Sequence, residues 1–339
     1  MTNHLLNLAV IGCGRIGHIH AENLAARIPQ ARVAALADVV EDRTVQLAAR
    51  FRIPKISRDY REILADPAID AVAICSSTDM HSQIIQDAAA AGKHIFCEKP
   101  IDYDIGRIHA SLAAVKRAGV KLQIGFNRRF DPSFARVREL VASGAVGRPH
   151  IIRITSRDPS PPPLDYIRVS GGIFLDMTIH DFDMVRFLSG SEAEEIYAVG
   201  DALVDPAISE AGDVDTAVVT IRLQNGVLAT IDNSRKAVYG YDQRIEVFGS
   251  KGSASAGNRT PDAHLLLDAA GTRGPSPLNF FLERYAEAYV IEMRAFVEAV
   301  LKNQAPPVSG KDGLQPVLMG LAATRSLKEN RPVKLSELS

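Results

Sequence analysis

The sequence predicts an α/β protein in two parts. A doubly wound parallel sheet is expected over residues 1–125, followed over residues 126–339 by an α+β domain with an open, mainly antiparallel sheet. Three observations carry this expectation. Apolar strand-like runs in the first third alternate with helical patterns of about 10–15 residues, as parallel crossovers require. A glycine pattern, Gly12, Gly14 and Gly17, falls between the first strand and the first helix. Beyond Phe126, strand-like runs follow one another without helices between them, as antiparallel pairing allows.

Composition sets the outer bounds. The 339 residues, 46% hydrophobic and 23% charged, suit a soluble globular chain long enough for two domains. A net charge of −1 gives no reason to expect a nucleic-acid or anionic-membrane partner. Cys13, Cys75 and Cys97 are odd in number and sit in or beside apolar runs, which fits a reducing compartment better than a disulfide framework. The apolar run from Leu5 to Ile11 is too short to span a membrane and is followed by glycine rather than a cleavage region, so a cytoplasmic protein is expected.

In chain order, "NLAVIGCGRIGHIHAENLA" reads strand, glycine turn, helix. The first glycine makes the turn, the second lets backbone N–H groups approach a pyrophosphate, and the third lets helix and strand pack closely. The phosphates of a dinucleotide then lie against a helix amino end. The next strand, "ARVAALAD", ends in Asp38, an acid placed to accept ribose hydroxyls and repel a 2′-phosphate. Val39, Val40 and Glu41 follow instead of Arg or Ser, so NAD is expected over NADP; Asp38 as a simple turn cap is the competing reading. "AIDAVAICSST", "HIFCEKP" and "VKLQIGF" are the third to fifth strands, separated by the helices "DMHSQIIQDAAAAGK" and "IGRIHASLAAVKRAG". Ligands in such Rossmann sheets bind at the carboxyl ends of the strands. That rule lines up Gly14, Asp38, Ser76, Ser77, Thr78, Glu98 and Lys99, with Arg15, Ile16 and His81 as neighbouring cofactor contacts. Lys99 has two readings: a donor that steadies a developing alkoxide, or a surface lysine paired with Glu98.

In the second domain "ARVRELVASGAVG" reads as a helix and "PHIIRITSRD" as a strand. Four more strands follow in "EEIYAVGDAL", "DTAVVTIRLQ", "GVLATIDNSRKA" and "DQRIEVFGSKG", with a tight hairpin at Asn225-Gly226 and another at Ser250–Gly252. A sheet face carrying Val218, Ile221 and Leu228 without helical cover points to a homo-oligomer, expected as a homotetramer. "NFFLERYAEAYVIEMRAFVEAVLKN" and "GLQPVLMGLAATRSLKEN" are long helices, with Tyr285 and Tyr289 in the core.

The stretch "GGIFLDMTIHDFDMVRFLSG" (residues 171–190) departs from an ordinary buried helix. Read as one helix, its Asp176, His180 and Asp183 share a face at i, i+4 and i+7 among Leu, Ile, Met and Phe. Such a narrow ionisable stripe lines a pocket more readily than it faces solvent. As a metal pair Asp176 and His180 lack an evident third and fourth ligand, so no metal is expected. A structural helix-start pair is the other alternative.

GCGRIG, Asp38, EKP at 98–100, FNRRFD at 126–131 and GGIFLDMTIHDFD at 171–183 together resemble the glucose–fructose oxidoreductase and inositol dehydrogenase family, over nearly the full length. The likeness is greatest to its inositol 2-dehydrogenase members. This resemblance implies an NAD-dependent dehydrogenase acting on a cyclic polyol, with Lys99, Asp176 and His180 as the catalytic group. It also favours Arg129, Asp158 and Tyr239 as further substrate contacts. Arg128 and Arg157 have a structural reading, as partners of Asp131 and Asp165. Some inositol dehydrogenases carry His and Asn where this chain has Ser156 and Asp158, so myo-inositol, scyllo-inositol and aldopyranoses stay open. The rival from another class is a non-catalytic NAD-binding sensor, which has no need of Lys99, Asp176 or His180.

Overall fold

A computed structural model describes residues 5–338. The chain forms two compact units: residues up to Phe130 with Glu287–Leu314, and Asp131–Ala286 with Gln315 onward.

The first unit is built on six parallel strands: β1 (Leu6–Ile11), β2 (Ala31–Ala37), β3 (Lys55–Ser57), β4 (Ala71–Ile74), β5 (His94–Glu98) and β6 (Leu122–Gly125), in the order β3-β2-β1-β4-β5-β6. Five were expected. The sixth, β3, has three residues and pairs only with β2 at the sheet edge, too short to carry a periodic signal. Helices Arg15–Arg27, Glu41–Phe51, Tyr60–Leu64, Thr78–Ala90 and Ile105–Ala118 form the five crossovers. The last of these shows how local sequence sets its limits. Asp104 caps its amino end by accepting the Arg107 N–H at 2.8 Å, and Gly119, at φ +66°, ends it.

The hydrophobic core of this unit holds Leu8, Val10, Leu36, Ala73 and Phe96, together with Met293, Phe296 and Val297. These last three come from helix Ala286–Leu301. A single cut at 125/126 assigns that helix to the second domain; the structure returns most of it to the first. An amphipathic pattern reveals that a face is buried but not against which sheet. Tyr285 and Tyr289 are both buried, as expected.

The second unit carries β7 (Pro149–Arg157), β8 (Ala193–Asp201), β9 (Thr216–Leu223), β10 (Leu228–Ser234), β11 (Asp242–Gly249) and β12 (Gly252–Ala256). A separate exposed hairpin, β13 (Leu266–Asp268) with β14 (Gly271–Arg273), follows, and β15 (Val333–Lys334) closes the main sheet. The order is β12-β11-β7-β10-β9-β8-β15. All neighbours are antiparallel except β7 and β10, which run parallel across a long connection. Asn225-Gly226 makes the β9–β10 hairpin, and Gly249 faces Gly252 at the β11–β12 turn. Along β9 every second residue is buried, so the expected apolar face needs correction. Val218 and Leu228 are each 46% exposed, whereas Ile221 is 2% exposed and belongs to the opposite, covered face.

Residues 171–190 are not one helix. A single turn, Ile173–Asp176, is followed by a break at Met177–Thr178 and a second helix, Ile179–Ser189. The segment after Asn279 is likewise divided, Phe281–Arg284 from Ala286–Leu301. No helix among the described residues is long and apolar enough to cross a membrane.

Candidate active site

In the first unit, the glycine turn after β1 has the geometry a dinucleotide requires. Gly12 sits at φ +89°, and a Cβ there meets Cys75 and Ser76 backbone atoms at 2.5 Å. A Cβ on Gly17 falls 1.8 Å from the Gly12 carbonyl oxygen, so helix and turn touch through bare backbone. At Gly14 a Cβ meets nothing within 4 Å. Helix Arg15–Arg27 starts at that open position with no side-chain cap and no acid in its first turn. Its leading N–H groups and positive dipole end are therefore suited to a pyrophosphate.

Asp38 is tied to this turn. Its carboxylate accepts the Cys13 N–H at 2.6 Å and the Val40 N–H at 2.8 Å, leaving further lone pairs for ribose hydroxyls. These residues fit a bound dinucleotide. The Cys13 thiol is pushed up to about 12 by burial and by the Asp38 charge, which leaves it un-ionised and unreactive. Arg43 was not foreseen: its exposed guanidinium lies 3.9 Å from Asp38. Asp38→Ser removes the repulsion of a 2′-phosphate while leaving this cation in place. The variant is expected to gain about tenfold in kcat/KM for NADP and to lose about as much for NAD; steady-state rates with the two cofactors check it.

His81, expected as a cofactor contact, is buried, with one ring nitrogen 2.8 Å from the Pro100 carbonyl and the other 3.1 Å from that of Ser76. It joins the loops after β4 and β5, the two that carry Ser76 and Lys99. His94, at the start of β5, accepts the Lys121 N–H through Nδ1 at 3.1 Å. Desolvation holds both imidazoles below their ordinary value of 6.5, aided at His94 by Lys121. Folding therefore favours the neutral rings. Their contribution to stability is complete above about 6.5 and is lost as pH falls below it. Thermal melts are expected to show a lower Tm at about pH 5.5 than at about pH 7.5, and His94→Gln is expected to reduce that difference.

Lys99 directly follows β5, half-buried. Its neighbour Glu98 accepts a 2.7 Å hydrogen bond from His20. Arg129 places its guanidinium 3.0 Å from Asp312.

In the second unit, the broken helix changes what each acid does. Asp176 accepts the Tyr166 hydroxyl at 2.8 Å on one oxygen and meets Arg235 at 3.2 Å on the other. Arg235 is 1% exposed and also approaches Asp213, 3.8 Å away. Asp213 in turn accepts the Ile173 N–H at 3.0 Å, starting the single turn that ends on Asp176. Asp183 lies three residues after His180 in helix Ile179–Ser189, and the break separates both from Asp176. Asp183 is buried with Arg186 at 3.7 Å, and Arg186 is held by Glu192. Asp181, also buried, accepts the Ser156 hydroxyl at 2.6 Å and the Asn233 amide at 2.9 Å. His180 is the second residue of helix Ile179–Ser189 and is half-buried, whereas every other residue from Met177 to Arg186 is buried; its Nδ1 faces inward, away from solvent.

Asp158 follows β7, its backbone bonded to Ser234 and Ala237. Tyr239 donates its hydroxyl to Asp242 at 2.6 Å and accepts from Arg157 at 3.1 Å. Arg157 pairs with Asp232 at 2.6 Å, not with Asp165, which takes Arg168. Asp131 holds Arg284 and caps helix Pro132–Ala142, so it is not simply the partner of Arg128. Arg235, Tyr166 and Asp213 were missed. A pair separated by 59 residues, such as Arg235 and Asp176, leaves no trace in local spacing.

The chain has counterparts among known proteins. Residues 6–126 match a family model described as an oxidoreductase family with an NAD-binding Rossmann fold, and residues 134–255 match the GFO/IDH/MocA C-terminal domain. The chain is 52% identical to the myo-inositol 2-dehydrogenase of Thermotoga maritima, over 98% of this chain and 99% of the relative. It is 44% identical to the inositol 2-dehydrogenase of Rhizobium meliloti, over 98% and 99%. Among solved structures, the scyllo-inositol dehydrogenase of Lactobacillus casei with bound NAD(H) and scyllo-inositol superposes with a TM-score of 0.92 at 31% identity, over 98% and 99%.

Proposed function

We propose that this chain, which belongs to the GFO/IDH/MocA oxidoreductase family and carries its NAD-binding Rossmann domain, oxidises a secondary hydroxyl of a cyclic polyol. Myo-inositol, converted to the 2-keto inosose, is the substrate this reading favours. Bound NAD supplies the hydride acceptor. His180 removes the hydroxyl proton as general base. Lys99 donates to the same oxygen and steadies the negative charge that grows there. Asp176, fixed by Arg235 and Tyr166, supplies a carboxylate of set orientation to the reacting alcohol and imidazole. Arg129, Asp158 and Tyr239 complete the polyol contacts in this proposal.

The observation that carries the reading is that His180 is half-buried within an otherwise buried stretch, four residues after an acid anchored by a buried guanidinium. A helix that served packing only has no use for a half-buried imidazole there. Purified protein with NAD and myo-inositol is expected to form reduced nicotinamide, followed by absorbance. Absence of turnover across a panel of inositol isomers and aldopyranoses rejects the proposal. Faster turnover of scyllo-inositol than of myo-inositol transfers it to that isomer, which the Lactobacillus casei enzyme binds. The protein is also proposed to act in the cytoplasm as a homotetramer, its exposed Val199, Val218, Leu228 and Phe248 covered by another copy. A monomeric mass by light scattering rejects that assembly.

A further inference from the structure

We propose that the His20–Glu98 hydrogen bond, buried beside Glu292, positions Lys99; the inference rests on the role given to Lys99 above. The three side chains come from separate elements: helix Arg15–Arg27, the last residue of β5, and helix Ala286–Leu301. One ligating atom from each lies within 4.8 Å of the other two. His20 and Glu292 are fully buried, and the Glu98 side chain is 13% exposed. A carboxylate has no hydrogen to give, so His20 Nε2–H donates to Glu98 across their 2.7 Å contact.

The surroundings hold this arrangement in place. The His20 ring meets Phe96 edge-on at 4.9 Å and Tyr289 at 5.7 Å, which fixes its plane. Gly125 faces Glu98 across the β5–β6 pair, and a Cβ there falls 2.9 Å from the Glu98 carboxylate oxygen. The glycine thus leaves space for that oxygen. Gln123, two residues earlier on β6, donates to the Glu292 carbonyl at 3.0 Å and ties the helix to the sheet.

The His20–Glu98 spacing suits a hydrogen bond rather than a shared cation. Two donors on a tetrahedral zinc stand about 3.4 Å apart for bonds near 2.1 Å, wider than the His20–Glu98 contact. Burying three ionisable groups is costly, and well-packed apolar residues commonly serve stability as well. What the His20–Glu98 bond adds is direction. Glu98 is gripped from the core side, which sets the backbone from which the next side chain, Lys99, departs.

The test compares His20→Leu with His20→Gln, whose amide N–H reaches a similar position. His20→Leu is expected to lower kcat about tenfold, with KM for NAD and for polyol changed less than about twofold. His20→Gln is expected to recover kcat to within about threefold of the parent. A folded His20→Leu with unchanged kcat, a loss that His20→Gln does not recover, or a loss expressed in KM overturns the proposal. If His20→Leu does not fold, Gly125→Ala, which crowds the Glu98 carboxylate without changing charge, is expected to show the same kcat loss; an unchanged kcat there overturns it. A second readout needs no substrate. Amide exchange over residues 94–99 is expected to quicken in His20→Leu but not in His20→Gln, while residues 122–125 stay unchanged. If the parent protein oxidises no polyol, the proposed function fails and this exchange comparison still decides whether the His20–Glu98 bond holds the strand end.

Discussion

His180→Ala is expected to lower kcat about a thousandfold while leaving the Kd for NAD unchanged. Removal of a positioned general base commonly costs between about a hundredfold and ten-thousandfold. The side chain is well suited to the measurement. His180 alone is incompletely buried between Met177 and Arg186, so truncation there opens little of the core. The residues on either side, Ile179 and Asp181, keep the helix in place through burial and through bonds from Ser156 and Asn233. Binding of NAD, followed by calorimetry, separates the loss of proton transfer from a loss of the cofactor site. A variant that keeps parental turnover removes His180 from the mechanism.

Arg235→Leu is the second large effect, and it falls on stability and rate together. Arg235 lies between Asp176 at 3.2 Å and Asp213 at 3.8 Å. Its removal leaves two poorly solvated carboxylates without their shared cation. Breaking a buried pair from one side costs about 3–5 kcal/mol. The carboxylates here keep some exposure, so about 3 kcal/mol is expected, which lowers Tm by roughly 6–12 °C. Turnover of the surviving folded protein is expected to drop as well, because Asp176 loses one of its two anchors. Tyr166→Phe removes the other, an exposed hydroxyl, and is expected to cost about 1 kcal/mol or less. A melting temperature within about 2 °C of the parent for Arg235→Leu contradicts this account of the anchor.

The cofactor half was legible because its demands are local. The positions of Gly12, Gly14, Gly17 and Asp38 follow from one turn and one strand end, and the backbone shows why each glycine is needed or open. The Asn225-Gly226 hairpin was legible for the same reason. The second unit was harder to read. Residues 171–190 carry helical spacing throughout, yet Met177 and Thr178 interrupt the helix, and the Thr178 hydroxyl bonds the Ile173 carbonyl and Asn233. Tertiary bonds of this kind override a pattern of period 3.6. The partners of the acids were hidden for a related reason: Arg235 and Asn233 approach residues 176–181 only once β10 is paired into the sheet. His81 adds a role that spacing does not show. Its place after a strand end suggested a contact to ligand; burial and two carbonyl partners also make it a tie between loops.

The return of helix Ala286–Leu301 to the core of the earlier sheet bears on how this chain is made. A ribosome has already released every strand of the parallel sheet when Gly125 emerges, but Met293, Phe296 and Val297 are still more than 160 residues from emerging. During that interval the apolar surface they later cover, around Leu8, Val10 and Phe96, stands open to water or to a chaperone. A gene fragment ending near residue 130 is for this reason a poor candidate for independent expression. A permuted chain that starts near residue 287 supplies the missing helix first.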